Sequence, residues 1–251
     1  MTTETDFTGH SALITGAASG IGAACARWLD AQGIGRLVLV DKDAAGLAAL
    51  GLTCEVSPHA GDVSDPAFWE VLEPQLGKLD HAVVNAGIAA GSPIRDASFD
   101  HWRSIMSVNL DGAFLTLRSA MRAMKDGGSV VMLASVSGLK PMAGASAYCT
   151  SKAAVIQLAK IGALEGVADG IRVNAIAPGG VDTSIWDSDP GFAQMVKDMG
   201  REQALTVMAE VTPTKRFASA DEIANTIGFL LSDAAGNITG AVLSSDGGFS
   251  L

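Results

Sequence analysis

Seven short apolar runs recur along the chain, and stretches of helical length, Ala-rich or amphipathic, lie between them. Residues 11–15, 36–40, 56–61, 81–85, 129–134, 171–177 and 241–244 are expected as strands, and residues 21–32, 43–50, 66–75, 99–125, 147–168 and 220–231 as helices. Runs such as Leu37-Val38-Leu39-Val40 and Val130-Val131-Met132-Leu133 lack polar alternation, which is the pattern of strands covered by helices on both sheet faces. The alternation of the two kinds of segment predicts an α/β fold, a doubly wound parallel seven-stranded sheet with helices on both faces. No internal repeat or low-complexity linker divides residues 1–251, so one domain is expected. The longest stretch between a strand and the next expected helix is 179–218, which carries Trp186, Phe192, Met195, Met199 and Met208. Following a strand's carboxyl end, it is a candidate substrate lid, centred on residues 182–212.

Composition narrows the function classes. Apolar residues make up 48% of the 251, and charged residues 18%, the reverse of a disordered chain's balance. Lys plus Arg is 17 against 27 Asp plus Glu, a formal net charge of −10, which argues against a broad electrostatic grip on nucleic acid or an anionic membrane. Three scattered cysteines fit neither a disulfide framework nor a zinc site. No His pair or His–Cys set has metal-ligand spacing, so no metal is expected. Residues 1–9 are polar and acidic rather than leader-like, and no apolar run reaches the roughly 18 residues of a membrane helix. These features predict a soluble protein of the reducing cytoplasm with some surface buried between subunits.

The first expected strand runs into Thr15-Gly16-Ala17-Ala18-Ser19-Gly20-Ile21-Gly22 and then a helix. Glycine lets the backbone turn tightly and approach a pyrophosphate, and the helix start offers N–H groups and a positive dipole end. Gly16, Ser19, Gly20, Ile21 and Gly22 are therefore candidate cofactor-binding residues. The competing explanation is an ordinary Gly-rich turn, since the spacing G-x3-G-x-G differs from the general dinucleotide fingerprint. The second strand ends at Asp41, 19 residues after Gly22, where a carboxylate is expected to meet the adenosine ribose. It would accept hydrogen bonds from two hydroxyls and repel a 2′-phosphate, favouring NAD over NADP. Lys42, the next residue, could partly offset that repulsion.

Tyr148, the single tyrosine, precedes Lys152 by four residues, so both project from one helix face. A free phenol has a pKa of about 10, too high for a base at neutral pH. A nearby ammonium and a positive nicotinamide would lower it. Ser135 stands at the carboxyl end of the fifth strand, where its hydroxyl could hold a substrate oxygen beside the phenol. Taken alone, Tyr-x3-Lys also fits a half-buried helix pair.

These motifs together resemble the short-chain dehydrogenase/reductase family in its shorter, single-domain branch. The resemblance rests on Thr15–Gly22, Asn85-Ala86-Gly87, Asn109, Ser135, Tyr148-Cys149-Thr150-Ser151-Lys152 and Pro178-Gly179, in order and spacing. It extends to Ile238-Thr239-Gly240 and Asp246-Gly247-Gly248 near the end. It implies a Rossmann fold in which Tyr148 is the general acid/base, Lys152 lowers its pKa and binds the nicotinamide ribose, and Ser135 orients the substrate oxygen. Asn109 would bend its helix and hold a water in a proton relay to Lys152. Asp62 and Val63 would contact adenine, and Asn85, Ala86 and Gly87 would line the cofactor floor. Pro178, Gly179, Val181 and Thr183 would close over the nicotinamide side. Trp186 on the lid is a candidate for substrate binding, with plain packing as the alternative. One departure is Val84, where many relatives have a second Asn.

The function expected is an NAD-dependent oxidoreductase interconverting a secondary alcohol and its ketone, with an apolar, aryl, cyclic or steroid-like substrate. Alternatives are an NADP-dependent 3-oxoacyl-carrier-protein reductase, a nucleotide-sugar epimerase and a non-catalytic NAD-binding sensor. Asp41, the short chain beyond Gly179 and the intact Asn109, Ser135, Tyr148 and Lys152 set count against them in turn. Surplus apolar surface on helices 99–125 and 147–168, including Ala153, Ala154 and Ile156, together with strand 241–244 and helix 220–231, suggests two isologous interfaces and hence a homotetramer.

Overall fold

The computed structural model describes residues 6–251; the first five residues of the polar opening segment lie outside the described residues. Its strands are β1 (Ser11–Thr15), β2 (Arg36–Asp41), β3 (Glu55–Ala60), β4 (His81–Val84), β5 (Gly128–Leu133), β6 (Ile171–Pro178), β7 (Val181–Asp182), β8 (Ala218–Ser219) and β9 (Val242–Ser245). Its helices are α1 (Gly20–Ala31), α2 (Ala44–Ala48), α3 (Pro66–Leu72), α4 (Phe99–Met106), α5 (Gly112–Ala123), α6 (Ser146–Gly166), α7 (Pro190–Met199), α8 (Arg201–Ala209) and α9 (Ala220–Leu231). Among the described residues, a seven-stranded sheet runs in the order β3-β2-β1-β4-β5-β6-β9, every pairing parallel. This is the doubly wound α/β Rossmann arrangement expected.

Side chains alternate between two buried layers because successive strand residues point to opposite faces. Leu13, Val38, Val40, Val130 and Met132 pack with Trp69 of α3, Leu115 and Leu117 of α5 and Val155 of α6. Ile14, Leu37, Leu39, Val131 and Leu133 pack with Leu29 of α1 and Ile223, Ile227 and Leu230 of α9. Both faces are apolar because both are covered, which is why the strands read as continuous apolar runs. The strand order reverses between β1 and β4, opening a crevice at their carboxyl ends where ligands of such sheets bind.

The structure departs from the sequence expectations at three places. The stretch expected as one helix over 99–125 is α4 and α5 separated by a π-helical turn, Ser107–Asp111, and it ends at Ala123. The turn coincides with Asn109, whose amide bonds the backbone of Ile88 instead of solvent, a cause of helix distortion that local pattern does not carry. The stretch 179–218 holds α7, α8 and the short parallel pair β7–β8. Finally, Ile156 faces the core rather than a free surface. Ala153 is exposed and Ala154 half-buried, and larger exposed apolar side chains stand at Ile161 and Leu164 on α6, Phe114 on α5 and Phe99 on α4. No helix among the described residues is long and apolar enough to cross a membrane.

Candidate active site

The glycine loop connects β1 to α1 at the crevice. Gly16 and Gly20 have φ of +66° and +52°, values that side chains rarely tolerate. A Cβ on Gly16 would lie 2.7 Å from the Asn85 amide nitrogen, and one on Gly22 would collide with the Gly16 carbonyl. Ser19 makes no side-chain cap bond to α1, and the helix has no acidic residue in its first turn. The positive end of α1 therefore faces the loop without a capping side chain, the arrangement that holds a phosphate. Thr15 braces the loop from below: its hydroxyl accepts the N–H groups of Asn85 and Ala86, while the Asn85 amide donates to the carbonyls of Thr15 and Gly16. A dinucleotide's pyrophosphate fits this cradle, which added Cβ atoms would fill.

Asp41 ends β2 beside the glycine loop. Its carboxylate accepts N–H bonds from Ala18 of the glycine loop and from Asp43, both at 3.0 Å. Lys42 does not turn toward it; its ammonium lies 2.8 Å from Asp62. Burial pushes the Asp62 carboxyl up, but Lys42 and Ser64 outweigh it and hold the group below the usual carboxylate range. Val63 is buried against Gly112.

At the carboxyl ends of β4 and β5 the remaining candidates converge. Ser135 follows β5, and its hydroxyl accepts the Ser137 N–H. The 3₁₀ turn Val136–Gly138 docks on α6, where a Cβ on Gly138 would lie 2.7 Å from the Lys152 backbone. That docking sets Ser135 beside Tyr148, near enough for its hydroxyl to favour the phenolate. The Lys152 ammonium is buried, donates to the Leu133 carbonyl at 2.8 Å and lies 5.8 Å from the Tyr148 ring centroid. Asn109 Oδ1 accepts the Ile88 N–H, and its Nδ2 donates to Ile88 O and Ser151 Oγ. Gly87 packs between them: a Cβ there would sit 3.3 Å from both Asn109 Oδ1 and Lys152 Nζ.

Burial dominates the electrostatics of this pair. Burial raises the Tyr148 phenol above its ordinary value, with the neighbouring Ser135 hydroxyl opposing. Burial also lowers Lys152 to about 8. The Lys152 ammonium, 5.8 Å from the Tyr148 ring centroid, is held by Leu133 O.

The segment after β6 completes the crevice. Gly179 packs against Asp246 and donates to Ser245 O, so the closing Asp246-Gly247-Gly248 segment buttresses this corner. The Thr183 methyl lies against Gly20, 3.3 Å from where a Cβ would stand. Trp186 is half-buried within the lid; its indole N–H donates to Val181 O at 2.8 Å and its ring stacks on Phe217 at 5.4 Å. The ring is thus packed within the lid while one part of it stays accessible. Residues that sequence reasoning passed over include Thr15, Ser151 and Arg201. Ser151 stood inside the Tyr148–Lys152 motif, but its role depends on a partner 42 residues away.

A family model described as enoyl-(acyl carrier protein) reductase matches residues 16–250. D-threitol dehydrogenase of Mycolicibacterium smegmatis is 35% identical over 261 residues, covering 97% of this chain and 94% of that protein. Levodione reductase of Leifsonia aquatica is 36% identical, covering 97% and 95%. Among solved structures, L-sorbose reductase of Gluconobacter frateurii, complexed with NADPH and L-sorbose, superposes with a TM-score of 0.91 at 30% identity over 98% of each chain. The chain belongs to the short-chain dehydrogenase/reductase family. The relatives and the site together support an oxidoreductase acting on CH–OH groups with a nicotinamide dinucleotide.

Proposed function

We propose that this chain, as a single domain, is an NAD-dependent dehydrogenase interconverting a secondary alcohol and its ketone. The observation that carries the reading is the convergence of Ser135, Tyr148, Lys152 and Asn109 beside the glycine cradle. The nicotinamide, when bound, supplies the acceptor or donor of hydride. Ser135 Oγ holds the substrate oxygen, and Tyr148 Oη takes the hydroxyl proton in oxidation or returns it in reduction. Lys152 steadies the phenolate by its charge and binds the nicotinamide ribose. The Asn109 amide is spent on Ile88 and Ser151, so we assign the relay water to its backbone carbonyl. Asn85, Ala86 and Gly87 form the cofactor floor, Asp62 and Val63 flank the adenine, and Pro178, Gly179, Val181 and Thr183 cover the nicotinamide side. Exposed apolar side chains on the segment after Ser135, Leu139 and Met142, and on the lid, Ile185 and Met199, favour an apolar or cyclic substrate. A panel of cyclic, aryl and polyol substrates, followed by nicotinamide absorbance with each cofactor, tests this; turnover confined to polyols would remove the apolar reading.

NAD preference rests on Asp41 and on the occupation of Lys42 by Asp62. Asp41→Ser is expected to shift the NADP/NAD ratio of kcat/KM by about tenfold or more, equivalent to at least ~1.4 kcal/mol. A wild-type enzyme that turns over NADP better than NAD would overturn the assignment.

We also propose a cytoplasmic homotetramer. The exposed Phe114, Ile161 and Leu164 on α5 and α6 offer one contact surface. The sheet's edge strand β9 with the partly exposed Leu243, and Phe229 on α9, offers a second; an uncovered parallel edge calls for a partner. Light scattering at micromolar concentration should give four chains, and a mass of one or two would exclude the arrangement.

A further inference from the structure

Within the lid, Arg201 ties the first residues to α8. Arg201 opens α8, and its Nη2 donates to Asp182 Oδ1 and to the Thr183 carbonyl, each at 2.9 Å. Its Nη1 donates to Asp187 Oδ1 at 2.6 Å, and its Nε reaches Asp182 Oδ1 at 3.3 Å. The guanidinium carbon lies 5.4 Å from the Phe192 ring centroid. One cation thus grips both sides of Thr183, the residue whose methyl rests on Gly20 of the glycine loop. Isolated exposed ion pairs contribute little, but a planar donor fork engaging several acceptors at once holds a defined geometry. A lysine ammonium, a point charge with three donors, cannot reproduce it.

We propose that Arg201 is a positioning residue for the cofactor: it latches residues 182–187 to α8 and so holds Thr183 over the glycine loop before any ligand arrives. The inference rests on the cofactor reading above. A segment ordered in advance spares the ordering cost at binding, so losing the latch appears as weaker binding of the nicotinamide half. The adenosine half, held by Asp41 and the glycine loop, does not depend on it.

The test measures two affinities on the full chain, NADH by nicotinamide fluorescence and 5′-AMP by calorimetry. Arg201→Gln is expected to weaken NADH by about tenfold, with AMP changed less than about twofold. Arg201→Lys is expected to lose nearly as much. Asp187→Asn, an exposed carboxylate whose loss leaves the fold untouched, provides a second variant and should weaken NADH in the same selective way. NADH affinities of Arg201→Gln and Asp187→Asn that stay within twofold of wild type would overturn the latch, as would an equal loss for NADH and AMP. A wild-type chain that binds neither ligand would instead remove the cofactor reading beneath it.

Discussion

Tyr148→Phe is expected to abolish turnover, by about 10³-fold or more, while NADH binding and the melting temperature stay near wild type. The change removes one oxygen and keeps the ring. That oxygen is the phenol beside Ser135 and the buried Lys152, and Tyr148 is the chain's single tyrosine. Burial holds the phenol above its ordinary pKa in the chain by itself. Oxidation needs the phenolate and is therefore expected to accelerate as pH rises, whereas reduction needs the protonated phenol and should slow. Steady-state rates in both directions across pH check this. Substantial activity in the variant would sink the acid/base assignment.

Lys152→Met is expected to do two opposite things: cost about 10² or more in kcat/KM, with weaker cofactor binding, and raise the melting temperature at neutral pH. Burial depresses the lysine from 10.5 to about 8 in the folded chain. Between those values the unfolded state binds the proton more readily, so wild-type stability rises with pH through the window. Below about 8 the folded chain carries the full cost of a buried charge, roughly 3 kcal/mol as an upper bound. Methionine keeps most of the volume and removes the charge, although it orphans the Leu133 carbonyl that Lys152 now bonds. Thermal melts at pH 7 and pH 10 should show the variant more stable at the lower pH and the difference shrinking at the higher. A variant less stable than wild type at pH 7 would overturn this account. Stability given up for function at an active site is a common trade.

Strands β1, β2, β4, β5 and β6 were legible as apolar runs because a strand covered on both faces has no polar face to hide. The glycine loop was legible because backbone at φ +66° and +52° admits few other residues. Tyr148 and Lys152 share a helix face by the geometry of an i, i+4 pair, and Asp41 stands at the end of β2 for the same local reason. All of these follow from neighbours in the chain.

Long-range packing decided the rest. The π turn at Asn109 depends on the backbone of Ile88, 21 residues away, and on Ser151. The direction of the Lys152 ammonium depends on Leu133 O, and the raised phenol of Tyr148 on the burial around it. Lys42 stands beside Asp41 in sequence, yet the fold of β3 brings Asp62 to take it. Trp186, a candidate for substrate, stacks on Phe217, which lies far along the chain. Arg201 carried no motif at all, and its grip on Asp182, Thr183 and Asp187 exists only because α8 folds back beside β7. The sequence by itself determined the sheet and the glycine cradle, since those rest on local sterics and periodicity, while the candidate reacting groups were picked out by the resemblance of several motifs in register. The tertiary structure alone decided which charges are paired, buried or aimed at one another, because electrostatic environment is set by neighbours that are distant in the chain.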